Sequence, residues 1–374
     1  MAYESLVPSC LESSDSDTTF DFEGFPISAP GSPAQASSGS QSCHGGASLV
    51  RGSLTEQGLS TEVAEFLLGA WRESTRRQYW PYLERWFSFC NGRGISAFRP
   101  PIGALLDFLL LEYRSSSSSG SKRAYRTMGV IRSAVSSVAL IDGVPAGTSH
   151  LVKKFMTAVF NDNPAFPKYS TTWDPDLVLS YLKSLGANGS LSLLSLSRKL
   201  VVLMRLLSGE RGQTLLALDV TRMVFLGDSV TFHISDLLKT SRPTWHKNVV
   251  VFSAFPHDID LCVITALRHY LRITSPLRGG VTQLFFISRR PYCPASGGTL
   301  SAWTKSVLSM SGVDTGVFAA GSTRPASTSR AHESLSVDVI MKAVGWTQRS
   351  TFATFYHKPI SSVGYSEAIL RNFS

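Results

Sequence analysis

Five residues in the second half of the chain combine the side-chain types that phosphoryl transfer without a metal ion requires. Arg211 and Arg324 can give bidentate, permanently charged donors to the non-bridging oxygens of a phosphate. Lys239 can donate a proton to a leaving oxygen, and the indole N–H of Trp346 can hold a phosphate oxygen. Tyr356 can act as a covalent nucleophile where a neighbouring group accepts its proton.

Each of these residues also has an ordinary explanation when it is taken alone. Arg211 stands between two apolar segments, where it either meets an anionic ligand or pairs with a local acid such as Glu210 or Asp219. The lysine and the second arginine lie in polar loops, where a solvated surface cation is common. The run 345–359, which carries the tryptophan and the tyrosine, could be a short amphipathic helix with core aromatics.

The charge distribution favours a polyanionic partner. The chain has 374 residues and a net charge of +9, but residues 1–50 contain six acids and no Lys or Arg. All 36 basic residues therefore follow residue 50 against the other 21 of the 27 acids, which gives that part a net charge of +15. Such a body suits nucleic acid through phosphate neutralisation, although a solvated basic surface would have the same composition.

Cysteine usage and hydropathy restrict the class of protein. The five cysteines are scattered and form no C-x-x-C pair, which predicts neither a disulfide framework nor a zinc site. No run of 18 apolar residues predicts a transmembrane helix, and the acidic N-terminus does not have the pattern of a signal peptide. We therefore expect an intracellular protein with reduced cysteines and no membrane partner.

The elements that must position these residues fall into two predicted domains. Residues 1–55 are rich in Ser, Gly, Ala and Pro and are predicted to be a disordered acidic tail. Apolar residues at helical spacing then predict a four-helix module over 59–160. Several of its helices begin with basic residues, which helix dipoles disfavour unless a phosphate is bound there. The predicted DNA-binding residues are Arg76, Arg77, Lys122, Arg123, Arg126, Lys153 and Lys154.

A Pro-containing linker over 161–173 leads to the second predicted domain, 174–374, which begins with the Asp174–Pro175 helix start. It is predicted to be mostly helical. Alternating runs around 222–225, 230–234 and 249–252 predict a small antiparallel sheet, with a Gly-Asp turn between the first two. Lys239 lies in the loop before the third strand, and Arg324 in a small-residue loop before a helix over 337–344.

Four segments in this order and spacing resemble the tyrosine recombinase, or phage-integrase-like, superfamily. They read LLSGERGQTLLALDV, LLKTSRP, GSTRPAST and VGWTQRSTFATFYHKP. The likeness covers about residues 59–360 and is similar to the form carried by DIRS-like and Ngaro-like retrotransposons. It implies a SAM-like helical core-binding bundle and a mainly α, α+β catalytic domain, closing around duplex DNA as a clamp.

The resemblance also implies a role for each of the five residues. Arg211 and Arg324 match the two catalytic arginines, Lys239 the hairpin general acid, and Trp346 the position that holds His or Trp. Tyr356 matches the nucleophile that forms a 3′-phosphotyrosyl bond and releases a 5′-hydroxyl. The implied partners are double-stranded DNA and about four copies of the chain on DNA, and neither a cofactor nor a metal ion is implied. A mobile-element integrase of this kind would work in the nucleus.

One position departs from the family pattern. Three residues before the second arginine the family commonly has His or Lys, and this chain has Gly321. Proton transfer there is then absent or supplied by another group, for which His332 and His357 are candidates. Two further hypotheses therefore stay open. One is a DNA-binding protein of the same fold without catalysis. The other is a helical RNA-binding or scaffold protein, which predicts no clustering of Arg211, Arg324, Trp346 and Tyr356.

Overall fold

The computed structural model describes residues 44–115, 122–164, 169–239, 241, 243, 246, 248–346, 349–356 and 358–360. The fold is mostly helical with a small antiparallel sheet, which confirms the predicted fold class. The described residues up to 164 form one compact unit, and those from 169 onward form another. No helix in the described part of the chain is long and apolar enough to cross a membrane.

Among its described residues, the first unit contains six α-helices and one hairpin whose two strands are two residues long. Its helices are α1 (His44–Glu56), α2 (Thr61–Leu68), α3 (Glu73–Arg93), α4 (Ile102–Arg114), α5 (Tyr125–Ser136) and α6 (His150–Asp162). The hairpin pairs β1 (Leu140–Ile141) with β2 (Val144–Pro145) in antiparallel register.

The aromatic stripe of α3 forms the centre of this bundle. Leu83 and Trp86 are fully buried, and the Trp86 ring lies 5.0 Å from the ring of Phe108 on α4. The indole N–H of Trp86 donates to the carbonyl of Ala97 at 2.9 Å, so its one polar atom is satisfied inside the core. The helical spacing of apolar residues in the sequence therefore does mark the buried face.

The predicted tail extends too far into the bundle. Residues 1–43 lie outside the described residues, but residues 44–55, which were predicted to be disordered, all belong to α1. Val50 is buried, and the buried hydroxyl of Ser53 donates to the carbonyl of Val138 at 2.7 Å. A helix built largely of small residues packs closely against its neighbours, and this composition resembles that of a disordered segment.

The second unit contains eight α-helices, one π-helix and one three-stranded sheet among its described residues. The α-helices are α7 (Pro175–Ser184), α8 (Leu193–Ser208), α9 (Gly212–Leu216), α10 (Val263–Thr274), α11 (Gly297–Met310), α12 (Thr323–His332), α13 (Val337–Val344) and α14 (Arg349–Thr351), with the π-helix at Phe352–Tyr356. Helix α8 is its central element and is apolar on most sides. Its first turn is capped by Ser192, whose side chain accepts from the N–H of Ser195.

The sheet order is β3 (Met223–Leu226), β4 (Ser229–His233) and β5 (Val249–Ser253), all antiparallel. On β4, Val230 and Phe232 are buried and the other residues of the strand are not. Buried and more exposed side chains therefore alternate along the strand, as predicted. The Phe232 and Phe252 rings pack edge to face across the β4–β5 pair, 6.3 Å apart. This face of the sheet joins the same apolar core as α8 and α10.

Two predicted elements differ from the structure, and both carry candidate site residues. The segment around Arg324, predicted as a loop, forms the buried helix α12. The run 345–359 is not one amphipathic α-helix, because its described part contains a single turn, α14, followed by the π-helix. Such π-helical segments occur frequently at functional sites.

Candidate active site

Helix α12 holds Arg324 inside the protein at an exposed fraction of 3%. The turn that precedes the helix is fixed by side chains: the Trp173 indole N–H donates to Ser322 Oγ at 2.9 Å, and Ser322 Oγ donates to the carbonyl of Ala319 at 2.6 Å. Pro325 lies in the first turn of α12, where its missing N–H costs no hydrogen bond. The small residues of this segment therefore build a buried helix start that carries an arginine.

The side chains of Arg324, Trp346 and Tyr356 meet at one point. The guanidinium carbon of Arg324 lies 4.7 Å from the ring centroid of Trp346 and 4.8 Å from that of Tyr356. The two rings stack with their centroids 4.4 Å apart and their planes 27° apart. Nη1 of Arg324 is 3.4 Å from the Tyr356 hydroxyl oxygen. A permanent cation thus lies against two aromatic faces and beside a phenol.

The backbone of the tyrosine is tied to α12 by two residues that sequence reasoning missed. Ser329 Oγ donates to the carbonyl of Tyr356 at 2.9 Å and accepts from the N–H of Lys358 at 3.0 Å. The Thr328 hydroxyl lies 3.4 Å from the same carbonyl. Helix α12 therefore supplies both the arginine and the anchor of the tyrosine.

Trp346 leaves a polar donor inside this cluster. The residue is 8% exposed, and its indole N–H is buried without a hydrogen-bond acceptor among the described residues. Nearly all buried N–H groups in proteins are paired, so an unpaired one calls for an explanation such as a ligand oxygen. The arrangement suits an anion bound next to Arg324.

Arg211 lies just before α9, on a turn that packs against α12. A methyl group on Gly209 would lie 3.0 Å from Val344 Cγ2 and 3.5 Å from Thr328 Cγ2, so this turn is in close contact with α12 and α13. Ser327 Oγ donates to the carbonyl of Leu206 at the end of α8. The buried carboxylate of Glu210 accepts a hydrogen bond from Thr214 Oγ1 at 2.9 Å.

Lys239 is exposed and lies on a loop that is attached to α9. Its backbone N–H donates to Oε1 of Gln213 at 3.0 Å, and Gln213 is two residues after Arg211. Within the loop, the Ser241 hydroxyl accepts from the N–H of Leu238 and lies 2.6 Å from His246 Nδ1. The loop therefore connects the lysine to the turn that carries Arg211.

Of the two histidines considered for the proton transfer that Gly321 cannot supply, the structure describes His332. His332 lies at the end of α12, where its ring packs edge to face on Phe352 and its Nδ1 is 3.3 Å from the carbonyl of Leu335. His357 lies outside the described residues. Within the ranges given above, no three His, Cys, Asp or Glu side chains are grouped to hold a metal ion.

The predicted DNA-binding residues of the first unit fall into two groups. Lys122 pairs with Asp162 at 2.6 Å, and Arg123 Nε donates to the carbonyl of Glu112 at 2.8 Å, so both take part in internal contacts. Arg76 donates to the carbonyl of Leu68, and Arg77 lies 3.8 Å from the carboxylate of Glu73. The side chains in the second group are exposed on the first turns of α5 and α6: Arg126, Lys153 and Lys154.

No protein-family model and no curated protein matches the chain. Among solved structures, the Tn1549 transposon integrase in complex with transposon right end DNA is similar over 87% of this chain and 97% of that chain, with 12% identity and a TM-score of 0.52. A structure of the same integrase with circular intermediate DNA covers 87% and 98%, with 12% identity and a TM-score of 0.50. The XerH site-specific recombinase in a post-cleavage complex with difH covers 73% and 72%, with 14% identity and a TM-score of 0.48. At these identities the likeness is one of fold.

Proposed function

We propose that this chain is a tyrosine recombinase that breaks and rejoins DNA strands through a covalent bond to Tyr356. The observation that carries the proposal is the contact of Arg324, Trp346 and Tyr356. A buried cation, a phenol and an indole N–H with no acceptor among the described residues meet at one point. Further support comes from the similarity of fold to an integrase bound to transposon DNA. The third hypothesis, a scaffold whose residues do not cluster, gives no reason for this contact.

The proposed cleavage step follows from the chemistry of these side chains. Tyr356 Oη attacks the phosphorus, an O–P bond forms, and the bond from phosphorus to the 5′ oxygen breaks. The phenolic proton leaves to solvent, and Lys239 gives a proton to the 5′ oxygen and later regains one from solvent. Arg211, Arg324 and the Trp346 N–H stabilise the charge that develops on the non-bridging oxygens. Rejoining is the reverse attack by a 5′-hydroxyl of the same or a partner duplex.

The first unit would hold the duplex through its backbone. Exposed lysines and arginines at helix starts reach phosphates without reading sequence, and they fix the position of the enzyme on DNA. We further propose that about four copies act together, that the reaction integrates a mobile element of the DIRS-like or Ngaro-like kind, and that it takes place in the nucleus. These proposals rest on the sequence resemblance.

A covalent-capture experiment tests the proposed reaction even though the DNA site of the protein has not been identified. The full chain is incubated with a pool of nicked duplexes of randomised sequence, from which the cleaved fragment diffuses away. Denaturing electrophoresis and sequencing of the retained DNA then detect protein–DNA adducts. We expect adducts enriched for one sequence with the wild type and none with Tyr356→Phe, because phenylalanine keeps the ring stack and removes the nucleophile. Adducts that persist in Tyr356→Phe would contradict the assignment.

The second candidate is a protein of the same fold that binds DNA without cleaving it. Gly321 favours it, because the chain has no side chain where the resembled family has an acid–base residue. This candidate predicts salt-dependent DNA binding and no adduct from any sequence in the pool. Gly321→His is the rescue variant. It should increase the adduct yield if the acid–base side chain at position 321 is all that the protein lacks for cleavage.

A further inference from the structure

Helix α8 contains a buried arginine that none of the chemistry above uses. Arg205 is 4% exposed, although its neighbours Met204 and Leu206 belong to the apolar core. It lies in the last turn of the helix, where a positive charge interacts favourably with the helix dipole. Burial of a guanidinium is costly unless its contacts are precise, so its surroundings indicate what it does.

The two ends of the Arg205 fork reach two different turns. Nη1 donates to the carbonyl of Ala320 at 3.3 Å, on the turn that begins four residues before Arg324. Nη2 lies against Gly212, the residue directly after Arg211. A methyl group added to Gly212 would be only 2.6 Å from Nη2. One planar side chain therefore spans the space between the two segments that carry the candidate phosphate-binding arginines.

Only glycine fits at position 212 while Arg205 keeps this position. A Cβ atom at 2.6 Å from Nη2 is closer than real contacts allow, so any other residue there would push the guanidinium away. Lysine at 205 would keep the charge and lose the fork, because an ammonium group cannot reach both turns with fixed geometry. Because the guanidinium is the end of a flexible side chain, it could move aside for a larger residue at 212, and it would then leave its place between the two turns.

We propose that Arg205 is a positioning residue, whose fork against Gly212 and Ala320 sets the spacing between Arg211 and Arg324. The two arginines must converge on one phosphate, and such groups need placement to within about 0.5 Å. Arg205 itself does not contact the reacting atoms. The proposal deepens the proposed function and rests on it for the identity of the bound phosphate.

The proposal predicts the kinetic pattern of two single variants. Arg205→Lys and Gly212→Ala should each lower the single-turnover rate of adduct formation by about 30- to 100-fold, the size expected for a displacement of about 1 Å. The dissociation constant for DNA should rise by no more than about tenfold, since the other phosphate contacts of the protein are unaltered. The matched control is Gly280→Ala, where an added methyl group meets nothing within 4 Å.

The double variant separates positioning from a general packing role. Both substitutions break the same contact, so the rate of Arg205→Lys/Gly212→Ala should fall about as far as either single variant rather than by the product of the two. Two independent packing defects would instead multiply. A multiplicative loss, or a loss that follows the unfolded fraction at each temperature, would overturn the proposal.

A binding measurement keeps this test separate from the fate of the proposed function. Protein labelled with ¹⁵N-arginine is titrated with inorganic phosphate, and the Nε–H signals give its dissociation constant without DNA or cleavage. We expect phosphate-dependent shifts in the wild type and about tenfold weaker binding in both single variants, with Gly280→Ala unchanged. If the wild type forms no adduct with any DNA, the proposed function fails while this result still decides the role of Arg205. Phosphate binding that is absent in the wild type, or equal in all variants, would overturn the proposal.

Discussion

The buried arginines of the second unit are held differently from the ion-paired arginines of the helical bundle. In the helical bundle, arginines pair with carboxylates near the surface: Arg85 donates to Glu112 at 2.8 Å, and Arg93 donates to Asp107 at 2.7 Å. Among the described residues of the second unit, three arginines are at most 8% exposed and contact carbonyl oxygens or aromatic rings: Arg205, Arg278 and Arg324.

The two kinds of contact have different consequences for charge. A carboxylate neutralises a guanidinium, and such a pair stabilises the fold without attracting an anion. A carbonyl oxygen or an aromatic face orients a guanidinium and leaves its net charge in place. Arg278 shows how strongly this can fix a side chain, since it donates to the carbonyls of Gln283 and Leu284 and to Thr274 Oγ1. Surface arginine–carboxylate pairs also occur in the second unit, as between Arg330 and Asp176 at 2.9 Å. We infer that carbonyl and ring contacts orient the buried guanidinium groups of the second unit, whereas surface ion pairs serve stability in both units.

The largest test of this contrast is the substitution Arg324→Lys. Lysine keeps the charge but loses both the planar stack on Trp346 and the bidentate geometry. We expect the rate of covalent adduct formation to fall by about 10²- to 10³-fold, the size found when one preorganised donor to a developing oxyanion is removed. The measurement is single-turnover cleavage of a DNA site recovered by the capture experiment.

Arg85→Lys is the matched control in the other unit, because Arg85 also pairs and stacks but lies 43% exposed on the bundle surface. It should leave the cleavage rate within about twofold, since a partly exposed ion pair contributes little. If both substitutions slowed cleavage equally, the contrast between the two units would be wrong.

The next test removes the acid at the centre of the bundle network. Glu112 is 4% exposed and accepts from Arg85, while Arg123 Nη2 lies 3.4 Å from its carboxylate. Glu112→Gln should destabilise the bundle by about 1–2 kcal/mol, less than the ~3–5 kcal/mol of a fully buried pair because Arg85 is partly exposed.

Hydrogen exchange followed by mass spectrometry measures this effect for each unit separately. Peptides from α3 and α4 should exchange faster in Glu112→Gln, while peptides from α8 serve as the control within the same molecule. Faster exchange in α8 as well would show that the stability of the second unit depends on this network.

Some helices of this protein could be predicted from the sequence and others could not. Apolar periodicity located α3, α8 and α13 because those helices bury large side chains on one face. The same criterion missed α12, since that helix buries small polar residues that bond to the preceding turn, as Thr328 Oγ1 does to the carbonyl of Arg324. A helix of this kind has no apolar pattern to detect.

The candidate site shows the same limit. Its residue types could be read from the sequence, because an arginine between apolar segments and a tyrosine after a tryptophan suggest phosphate chemistry. The contact between Arg324, Trp346 and Tyr356 could not be predicted. It depends on a π-helix, which has no clear sequence pattern, and on the hydrogen bond from Ser329, which joins residues far apart in the chain. A lone arginine within the apolar run of α8 was a signal for Arg205, because such a residue is costly to bury.

A smaller effect should separate Lys122, whose ammonium group is held by Asp162, from the basic residues near the starts of α5 and α6. Arg126 and Lys154 are exposed at helix starts, whereas Lys122 forms an ion pair with Asp162. We expect Arg126→Gln and Lys154→Gln each to lower the slope of log K against log salt by about 1 and to weaken binding uniformly across sequences. Lys122→Gln, the matched control, should change the slope less. Equal slopes in all three variants would place the DNA elsewhere on the bundle.

The smallest effect concerns the ion pair that distinguishes Lys122. Hydrogen bonds from Lys122 and then from Tyr113 lower the pKa of Asp162 below its ordinary value of 3.8. A group with a lowered folded pKa contributes stability that is fully present above the unfolded pKa and is lost as the pH falls through the folded pKa. Asp162→Asn should therefore melt at a slightly lower temperature than the wild type near neutral pH, and the difference should vanish in acid below pH 3.8, the ordinary pKa of the carboxyl group.

Thermal melts across this pH range measure the difference, and Asp107→Asn is the control for an ion pair elsewhere in the bundle. A difference that persists at the acid end would mean that the Asp162 side chain stabilises the bundle through packing rather than charge.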